Sequence, residues 1–303
     1  MKEKLQRLRQ LLANEFAGCE LPQPRIIHVE TRSKCNGTCR FCPASLPDRE
    51  DLTMPMELIE KAIAELAEWD YCGRLSFYNN NEPFLDRRLA EIVAHARQRL
   101  PKAYLELKTN GKALTLEQLC RVFNAGIDQL YLNDYSDDGN HHANVIKLKQ
   151  ELSRIRRFKG HFADNNYQYR IIISKPGVQE IKGTRAGNSP NRERLTRICV
   201  TPCFRPFEMM TISPEGKVAL CSEDFYYTLS QGDFSHQSLR EIWGSKSWNQ
   251  ARKELLAGNR KCNALCVLCD YKGCTFEMLK EHNLFAPGEH IPYDYKFLRF
   301  EGD

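Results

Sequence analysis

Three cysteines lie close together near the start of the chain, in the segment KCNGTCRFCP (residues 34–43). Cys35, Cys39 and Cys42 have the spacing CxxxCxxC. Thiolates are soft ligands that suit zinc, copper(I) or iron–sulfur clusters. A structural zinc site usually takes four ligands, and no histidine lies close in sequence to complete this set. Three cysteines instead ligate three irons of a 4Fe–4S cluster and leave the fourth iron open.

A second group of cysteines lies in the last third of the chain. Seventeen residues separate Cys203 from Cys221, and Cys266 forms a CxxC pair with Cys269. Together the two pairs would supply four ligands to one iron–sulfur site. A four-cysteine zinc site is the alternative. A neighbouring cysteine, either Cys262 or Cys274, could replace one of these ligands.

The composition indicates a cytosolic protein with a folded core. The chain has 303 residues, 42% of them hydrophobic, and a net charge of +5. It has no apolar run of about 18 residues that would span a membrane and no secretory signal. Its thirteen cysteines favour metal binding over disulfides in a reducing compartment. Basic segments such as RIRRFKGH (154–161) indicate a solvated helix face rather than a nucleic-acid surface.

An alternation of strands and helices positions the first cysteines after the first strand. Strands are predicted at 25–30, 74–78, 103–109, 127–133 and 167–174, and helices at 56–69, 86–100, 114–126 and about 143–157. This alternation predicts a parallel sheet with crossover helices, either doubly wound or a barrel. There is room for about one more strand.

The pattern changes after residue 174. A polar loop (175–197), a β-hairpin (207–223) and a helix broken near Gly244 (238–258) precede the CxxC pair. We therefore place a domain boundary near residue 195. The expected parts are an N-terminal helical extension (1–24), a core (25–195), a small α+β cluster domain (196–285) and a tail (286–303).

Polar residues follow the predicted strands at the positions where barrel enzymes build their active sites. The segment YNNNEPFLD follows the second strand, KTNG ends the third and LNDYSD ends the fourth. The candidate cofactor or substrate contacts among them are Asn80, Asn81, Glu82, Pro83, Thr109, Asn110, Asn133, Asp134 and Ser136.

The segment HVETRSKCNGTCRFCP (28–43) resembles the signature of the radical S-adenosylmethionine (SAM) superfamily. The resemblance implies a partial (β/α)6 TIM-like barrel whose open iron binds the amino and carboxylate groups of SAM. Reduction of the cluster then cleaves SAM, and the resulting 5′-deoxyadenosyl radical removes a hydrogen atom from substrate. It also places Phe41 at the cofactor, and implies a flavodoxin or ferredoxin-type electron donor.

The turn after the second strand is similar to the Gly-Gly-Glu-Pro turn of that family. Glu82 and Pro83 match, whereas Asn80 and Asn81 replace the glycines. Asparagine tolerates positive φ better than most residues, so we expect the turn to survive. The resemblance implies cofactor binding by this turn and by the polar residues that end the next two strands.

The spacing Cys–x12–Gly–x4–Cys followed by CxxC resembles the SPASM and twitch extensions of radical SAM enzymes. A full SPASM domain needs seven or eight cysteines for two auxiliary clusters, and residues 275–303 contain none. The shorter twitch form, with one auxiliary 4Fe–4S cluster, therefore fits better. The ligands implied are Cys203, Cys221, Cys266 and Cys269.

Enzymes of the twitch type divide by chemistry. Some dehydrogenate a carbinol and pass an electron to the auxiliary cluster, some epimerise a carbon with a cysteine thiol, and others modify peptides. For an epimerase, Cys262 or Cys274 would be the thiol that returns the hydrogen atom. We expect a small-molecule enzyme for a sugar or aminocyclitol, because the extension is short and the first 24 residues are too few for a leader-binding module. The alternatives are a peptide-modifying radical SAM enzyme and a zinc-stabilised nucleic-acid-binding protein.

Overall fold

A computed structural model describes residues 23–46, 49–154, 170–173, 177, 179, 183–193 and 195–271. Within these residues the centre of the protein is one eight-stranded sheet. Its strands are β1 (Ile26–Val29), β2 (Arg74–Ser76), β3 (Tyr104–Thr109), β4 (Gln129–Leu132), β5 (Arg170–Ile173), β6 (Met209–Ile212), β7 (Lys217–Ala219) and β8 (Ser230–Asp233).

The first five strands are parallel and lie side by side in chain order. This arrangement confirms the α/β class predicted from the alternation of strands and helices. The expected hairpin is also confirmed, because β6 and β7 pair antiparallel. Its first strand pairs in parallel with β1, so that the strand order is β5-β4-β3-β2-β1-β6-β7-β8. The sheet is therefore continuous across the boundary expected near residue 195. Strand β8 was not predicted.

Helices follow the strands as the alternation predicts. They are α1 (Met56–Glu68), α2 (Leu89–Arg99), α3 (Leu116–Asn124), α4 (Ala143–Arg154), α5 (Arg205–Glu208), α6 (Leu239–Trp243), α7 (Lys246–Leu256) and α8 (Ala264–Val267). Capping boxes begin α3 at Thr115 and α6 at Ser238. The break near Gly244 is confirmed, since it separates α6 from α7.

The two faces of the parallel strands differ in chemistry. Ile27 and Val29 of β1 and Leu105 and Leu107 of β3 pack into the hydrophobic core with the helices. The residues that alternate with them, such as His28, turn to the opposite face, which is polar and borders a cavity. Burying polar groups inside a sheet is costly unless they are hydrogen-bonded. The inner face is therefore where a functional site is expected.

Several predicted segments lie outside the described residues. They include nearly all of the N-terminal extension (1–24), the tail (286–303) and Cys274. Among the residues that the structure describes, no helix has both the length and the apolar character required to cross a membrane.

Candidate iron–sulfur active site

A cavity of about 540 Å³ occupies the inner face of the sheet. At the carboxyl end of the strands it reaches Cys35 and Cys39, and at the opposite end it reaches Arg25 and Glu208. Arg205 and Tyr271 line this cavity and also a smaller one next to it. The two cavities therefore meet at shared side chains.

The first three cysteines form a tight loop directly after β1. The Cys42 amide donates to the Cys39 carbonyl over 3.0 Å. Asn110 Nδ2 lies 3.8 Å from Cys35 Sγ, and Arg185 Nη1 lies 3.8 Å from Cys42 Sγ. Burial raises the pKa of Cys35 to about 11. A bound metal would supply the positive charge that deprotonates such a thiol.

Gly37 shows that this loop suits a bulky inorganic group. A Cβ on Gly37 would lie 3.2 Å from Cys35 Sγ and 3.7 Å from Cys39 Sγ. The bare backbone thus leaves open the space between the two sulfurs, which any other residue would enter. With three soft thiol ligands and this opening, the residues present fit a 4Fe–4S cluster that keeps one iron open.

Glu82 anchors the turn after β2. Its buried carboxylate accepts hydrogen bonds from Thr109 Oγ1 (2.7 Å), the Asn110 amide (2.8 Å) and the Phe84 amide (3.2 Å). Burial nevertheless raises the pKa of Glu82. These bonds hold the turn against the end of β3. A cofactor site built from both strand ends requires that the two lie together in this way.

The two asparagines that replace glycines carry unused donors. The Nδ2 groups of Asn80 and Asn81 are buried and have no hydrogen-bond acceptor within the described residues. Asn81 lines the large cavity, and Asn80 Oδ1 accepts from Arg185 Nη2 (2.7 Å). Unused buried donors of this kind fit a ligand with acceptor oxygens, such as a carboxylate. Neither asparagine has a positive φ, so the expected reason for their tolerance was wrong.

The remaining predicted cofactor contacts divide into two groups. Thr109, Asn110 and Asn133 line the cavity. Pro83 is buried at the start of a 3-10 turn, and Phe41 packs edge-on against Tyr135 with ring centroids 4.8 Å apart. The last residue, Ser136, donates from its hydroxyl to the Asn140 carbonyl (2.7 Å). None of these last three is among the cavity-lining side chains, so their contact with a cofactor stays a prediction.

The second group of cysteines surrounds the smaller cavity. Its lining includes the four predicted ligands, Cys203, Cys221, Cys266 and Cys269. Nowhere in the described ranges do three His, Cys, Asp or Glu side chains converge on the position of a single ion. A zinc site needs such convergence at about 2.3 Å from each sulfur, whereas a cluster distributes its ligands over several irons. The four residues fit a cluster better than a zinc ion.

Cys262 does not reach either cavity. It is exposed, and its sulfur accepts a hydrogen bond from Asn263 Nδ2 (3.4 Å). Because Cys262 is among the lining residues of neither cavity, the structure does not favour it as a hydrogen-atom donor, and that role stays a prediction. The other candidate donor, Cys274, lies outside the described residues.

A loop that the sequence did not single out connects the two cysteine sites. Arg185, in a left-handed conformation with φ of 48°, approaches Cys42 and Asn80 on one side. On the other side Thr184 donates from its amide to Asp270 Oδ2 (2.9 Å), next to Cys269. Nothing in the local segment KGTRAGN signals this role, since it depends on contacts between residues distant in sequence.

The sheet, the cysteine loop after β1 and the second cysteine cavity together define an iron–sulfur enzyme of the α/β class. Comparison with known families makes the class specific. Residues 29–158 match the radical SAM superfamily, and residues 203–270 match SPASM, an iron-sulfur cluster-binding domain. The chain belongs to the radical SAM superfamily and carries a C-terminal SPASM-type domain. Its cofactors are 4Fe–4S clusters and SAM, and a zinc-stabilised nucleic-acid-binding protein is excluded.

Similar proteins are found among both sequences and structures. The chain is 26% identical over 246 residues to the S-adenosyl-L-methionine-dependent 2-deoxy-scyllo-inosamine dehydrogenase of Niallia circulans, covering 81% of this chain and 92% of that protein. The crystal structure of BtrN in complex with AdoMet and 2-DOIA aligns with a TM-score of 0.70 at 25% identity, covering 85% and 98%. BtrN in an open conformation aligns with a TM-score of 0.59 at 23% identity, covering 82% and 93%.

Proposed function

We propose that this enzyme is a radical SAM dehydrogenase that oxidises a carbinol carbon of an aminocyclitol or a similar polyol to a carbonyl. The observation that carries the proposal is the continuity of the site. One cavity runs from the first cysteine loop to Arg205, which also lines the cavity of the second cysteine group. A substrate held there would lie between a radical source and an electron acceptor. The similarity to an inosamine dehydrogenase supports the substrate class.

When bound, SAM and the first cluster supply hydrogen-atom abstraction, and the second cluster supplies a one-electron acceptor. The chain's own residues bind and orient the reactants. Asn81 offers a buried amide donor to an acceptor oxygen at the cavity wall. A hydrogen bond between Glu82 and Asn110 holds the adjoining strand ends together. This bond helps the cavity wall to keep its shape when a ligand binds. Such positioning is the main contribution that a protein makes to cofactor chemistry.

The distribution of thiols favours dehydrogenation over epimerisation. An epimerase requires a cysteine that faces the substrate and is not a cluster ligand. Among the described residues that line the large cavity the cysteines are Cys35 and Cys39, and both belong to the first cluster motif. Cys262 faces solvent. An oxidation needs no such thiol, because the substrate loses a proton and an electron instead.

The reaction requires a reductant for the first cluster. We propose a flavodoxin or a ferredoxin-type protein in this role, and the cytosol as the place of action. The need for a reductant supports both the electron carrier and the cytosolic location, because iron–sulfur ligands and low-potential electron carriers persist in a reducing compartment. The first cysteine loop offers the exposed basic side chain of Lys34 to an acidic carrier, whereas Arg40, which is also exposed, forms an ion pair with Asp137.

The proposal is tested by anaerobic turnover of the reconstituted enzyme with SAM, a reductant and a panel of polyols in D2O. The panel includes 2-deoxy-scyllo-inosamine, other aminocyclitols and simple glycosides. We expect one equivalent of 5′-deoxyadenosine for each carbonyl formed, with the carbonyl trapped by a hydroxylamine reagent. The matched variant Cys203→Ala should still form 5′-deoxyadenosine but lose carbonyl formation. Deuterium gained at one carbon with inverted configuration would contradict the proposal and indicate an epimerase.

A further inference from the structure

One amine on the inner face of the sheet has no hydrogen-bond partner among the described residues. Lys108, near the end of β3, lines the large cavity. Its Nζ lies 5.2 Å from the centre of the Tyr131 ring and 5.8 Å from the centre of the Tyr78 ring. No acceptor lies within hydrogen-bond distance of Nζ in the part of the chain that the structure describes. Lys108 is half-buried, and an amine in such a position without a partner is uncommon, since partial burial of a charged group is costly unless the group is paired.

The nearest carboxylate does not neutralise Lys108. Glu106, two residues earlier on the same face, accepts from Tyr78 (2.8 Å) and Gln129 (3.2 Å) and forms an ion pair with Arg74 (3.1 Å). Burial, together with the positive charges of Arg74 and Arg205, lowers the pKa of Lys108 despite the opposing effect of Glu106. The titratable and charged groups that face this amine from the surrounding elements are His28, Arg74, Tyr78, Glu106, Tyr131 and Arg205.

Oxidation of a carbinol needs a group that accepts the hydroxyl proton. Guanidinium groups keep their protons in proteins, which excludes the arginines of the cavity. Glu82 already accepts three hydrogen bonds at the strand ends. His28 donates from Nδ1 to the Tyr78 carbonyl (2.9 Å), and burial holds its pKa well below 6.5. His28 would therefore hold an accepted proton less well than Lys108, which also lines the cavity.

We propose that Lys108 is the proton acceptor of the dehydrogenation, an inference that rests on the proposed function. In the balanced step, the hydrogen atom of the carbinol C–H bond leaves with the SAM-derived radical. The O–H bond then breaks, and its proton forms a new bond to neutral Nζ. The C–O bond becomes a carbonyl, and one electron passes to the second cysteine site. The aromatic faces of Tyr78 and Tyr131 stabilise the ammonium that results.

Two variants separate proton transfer from simple charge. Lys108→Arg keeps a long cationic side chain that cannot accept a proton, and Lys108→Met removes both properties. A general base contributes about 10²- to 10⁴-fold, so we expect carbonyl formation to fall by at least about 100-fold in both variants. Formation of 5′-deoxyadenosine should persist, which raises its ratio to carbonyl above that of the wild type. Lys147→Met, at an exposed position on α4, is the control and should behave as wild type.

A second measurement does not depend on turnover. Acetylation of the reconstituted enzyme by acetic anhydride, quantified by peptide mass spectrometry across a pH series, reports the protonation of individual lysines. The proposed step needs a neutral amine, so we expect the Lys108 profile to have its midpoint near or below the pH of the turnover assay, far below the ordinary lysine pKa of about 10.4. A midpoint well above the pH of the turnover assay would overturn the proposal, because the amine would then be protonated before the reaction.

The outcomes distinguish the two proposals. If Lys108→Arg forms the carbonyl as fast as wild type, Lys108 acts as a cation and the inference is overturned while the dehydrogenase assignment stands. If the wild type cleaves SAM but forms no carbonyl from any polyol, the proposed function is overturned, and with it the inference. Loss of carbonyl in both variants with 5′-deoxyadenosine retained supports both.

Discussion

The buried ion pair between Arg49 and Glu30 connects the end of β1 to the turn after β2 and to the second cysteine region. Glu30 is fully buried and accepts hydrogen bonds from Nη1 and Nη2 of Arg49, at 3.0 and 2.6 Å. It also accepts from the Asn80 amide (3.0 Å) and from the Tyr227 hydroxyl (3.1 Å). The Arg49 guanidinium lies 4.8 Å from the centre of the Phe225 ring. We predict that Arg49→Met lowers stability strongly and loosens the SAM-side turn.

The size of the destabilisation follows from the interactions that Glu30 keeps in the Arg49→Met variant. Removing one partner of a buried pair costs about 3 to 5 kcal/mol. The lower end applies, since Glu30 keeps the hydrogen bonds from Asn80 and Tyr227. Loss of the contact with Phe225 adds about 0.5 to 1 kcal/mol. The free energy of unfolding should thus fall by about 4 kcal/mol, which lowers the midpoint of thermal unfolding by roughly 6 °C.

The effect should depend on pH. Burial raises the pKa of Glu30 above its ordinary 4.5, in spite of Arg49. A carboxyl whose pKa is raised by folding binds more protons in the folded state, so stability falls as pH rises from the unfolded value through the folded one. Removing Arg49 raises the folded pKa of Glu30 further. The deficit of the variant should therefore be larger at pH 7 than at pH 5.

The assay is anaerobic thermal unfolding of the reconstituted protein at both pH values. Arg32→Met is the matched control, because the Arg32–Asp51 pair lies at the surface with both side chains about one third exposed. Such pairs contribute about 0 to 1 kcal/mol. The double variant Glu30→Gln/Arg49→Met should recover part of the loss, since no charge is then buried. A deficit of Arg49→Met no larger than that of Arg32→Met would refute the reasoning.

The remaining predictions concern the cysteine sites. Gly37→Ala places a Cβ 3.2 Å from the Cys35 sulfur and should lower the iron content from about eight to about four per chain, measured after reconstitution; full loading would contradict it. Cys266→Ser should also lose about four irons, whereas Cys262→Ser should lose none because that thiol is exposed. Gly258→Ala should destabilise the protein by about 1 to 3 kcal/mol in chemical denaturation, since its φ is +79° and a Cβ would lie 2.4 Å from a backbone oxygen.

The grouping of the cysteines into two sites was predictable because it depends on spacing along the chain. The motif CxxxCxxC fits into one loop, so its three cysteines lie close together regardless of the rest of the fold. The four cysteines of the second group were predictable for a related reason, as the hairpin β6–β7 joins Cys203 to Cys221 and the CxxC pair is local. The strand–helix alternation predicted the parallel sheet through hydrophobic periodicity, which is also a local signal.

Contacts between distant segments were decided only by the tertiary structure. That Cys262 faces solvent while Cys266 faces a cavity follows from how residues 260–269 pack, and spacing did not separate them. The pairing of β6 with β1 joins segments about 180 residues apart, and no local pattern specifies it.

The sequence by itself determined the cluster motifs, the order of strands and helices, and through them the enzyme class. The tertiary structure decided which polar residues face the cavity. In the sequence alone, Lys108 is an ordinary lysine near the end of a strand, and Arg185 is an arginine in a loop. Each becomes a candidate for function only because the folded chain partly shields it from water and places particular neighbours beside it. The burial of a side chain and the lack of a hydrogen-bond partner both depend on the packing of the whole chain. For that reason no short segment of the sequence predicts them.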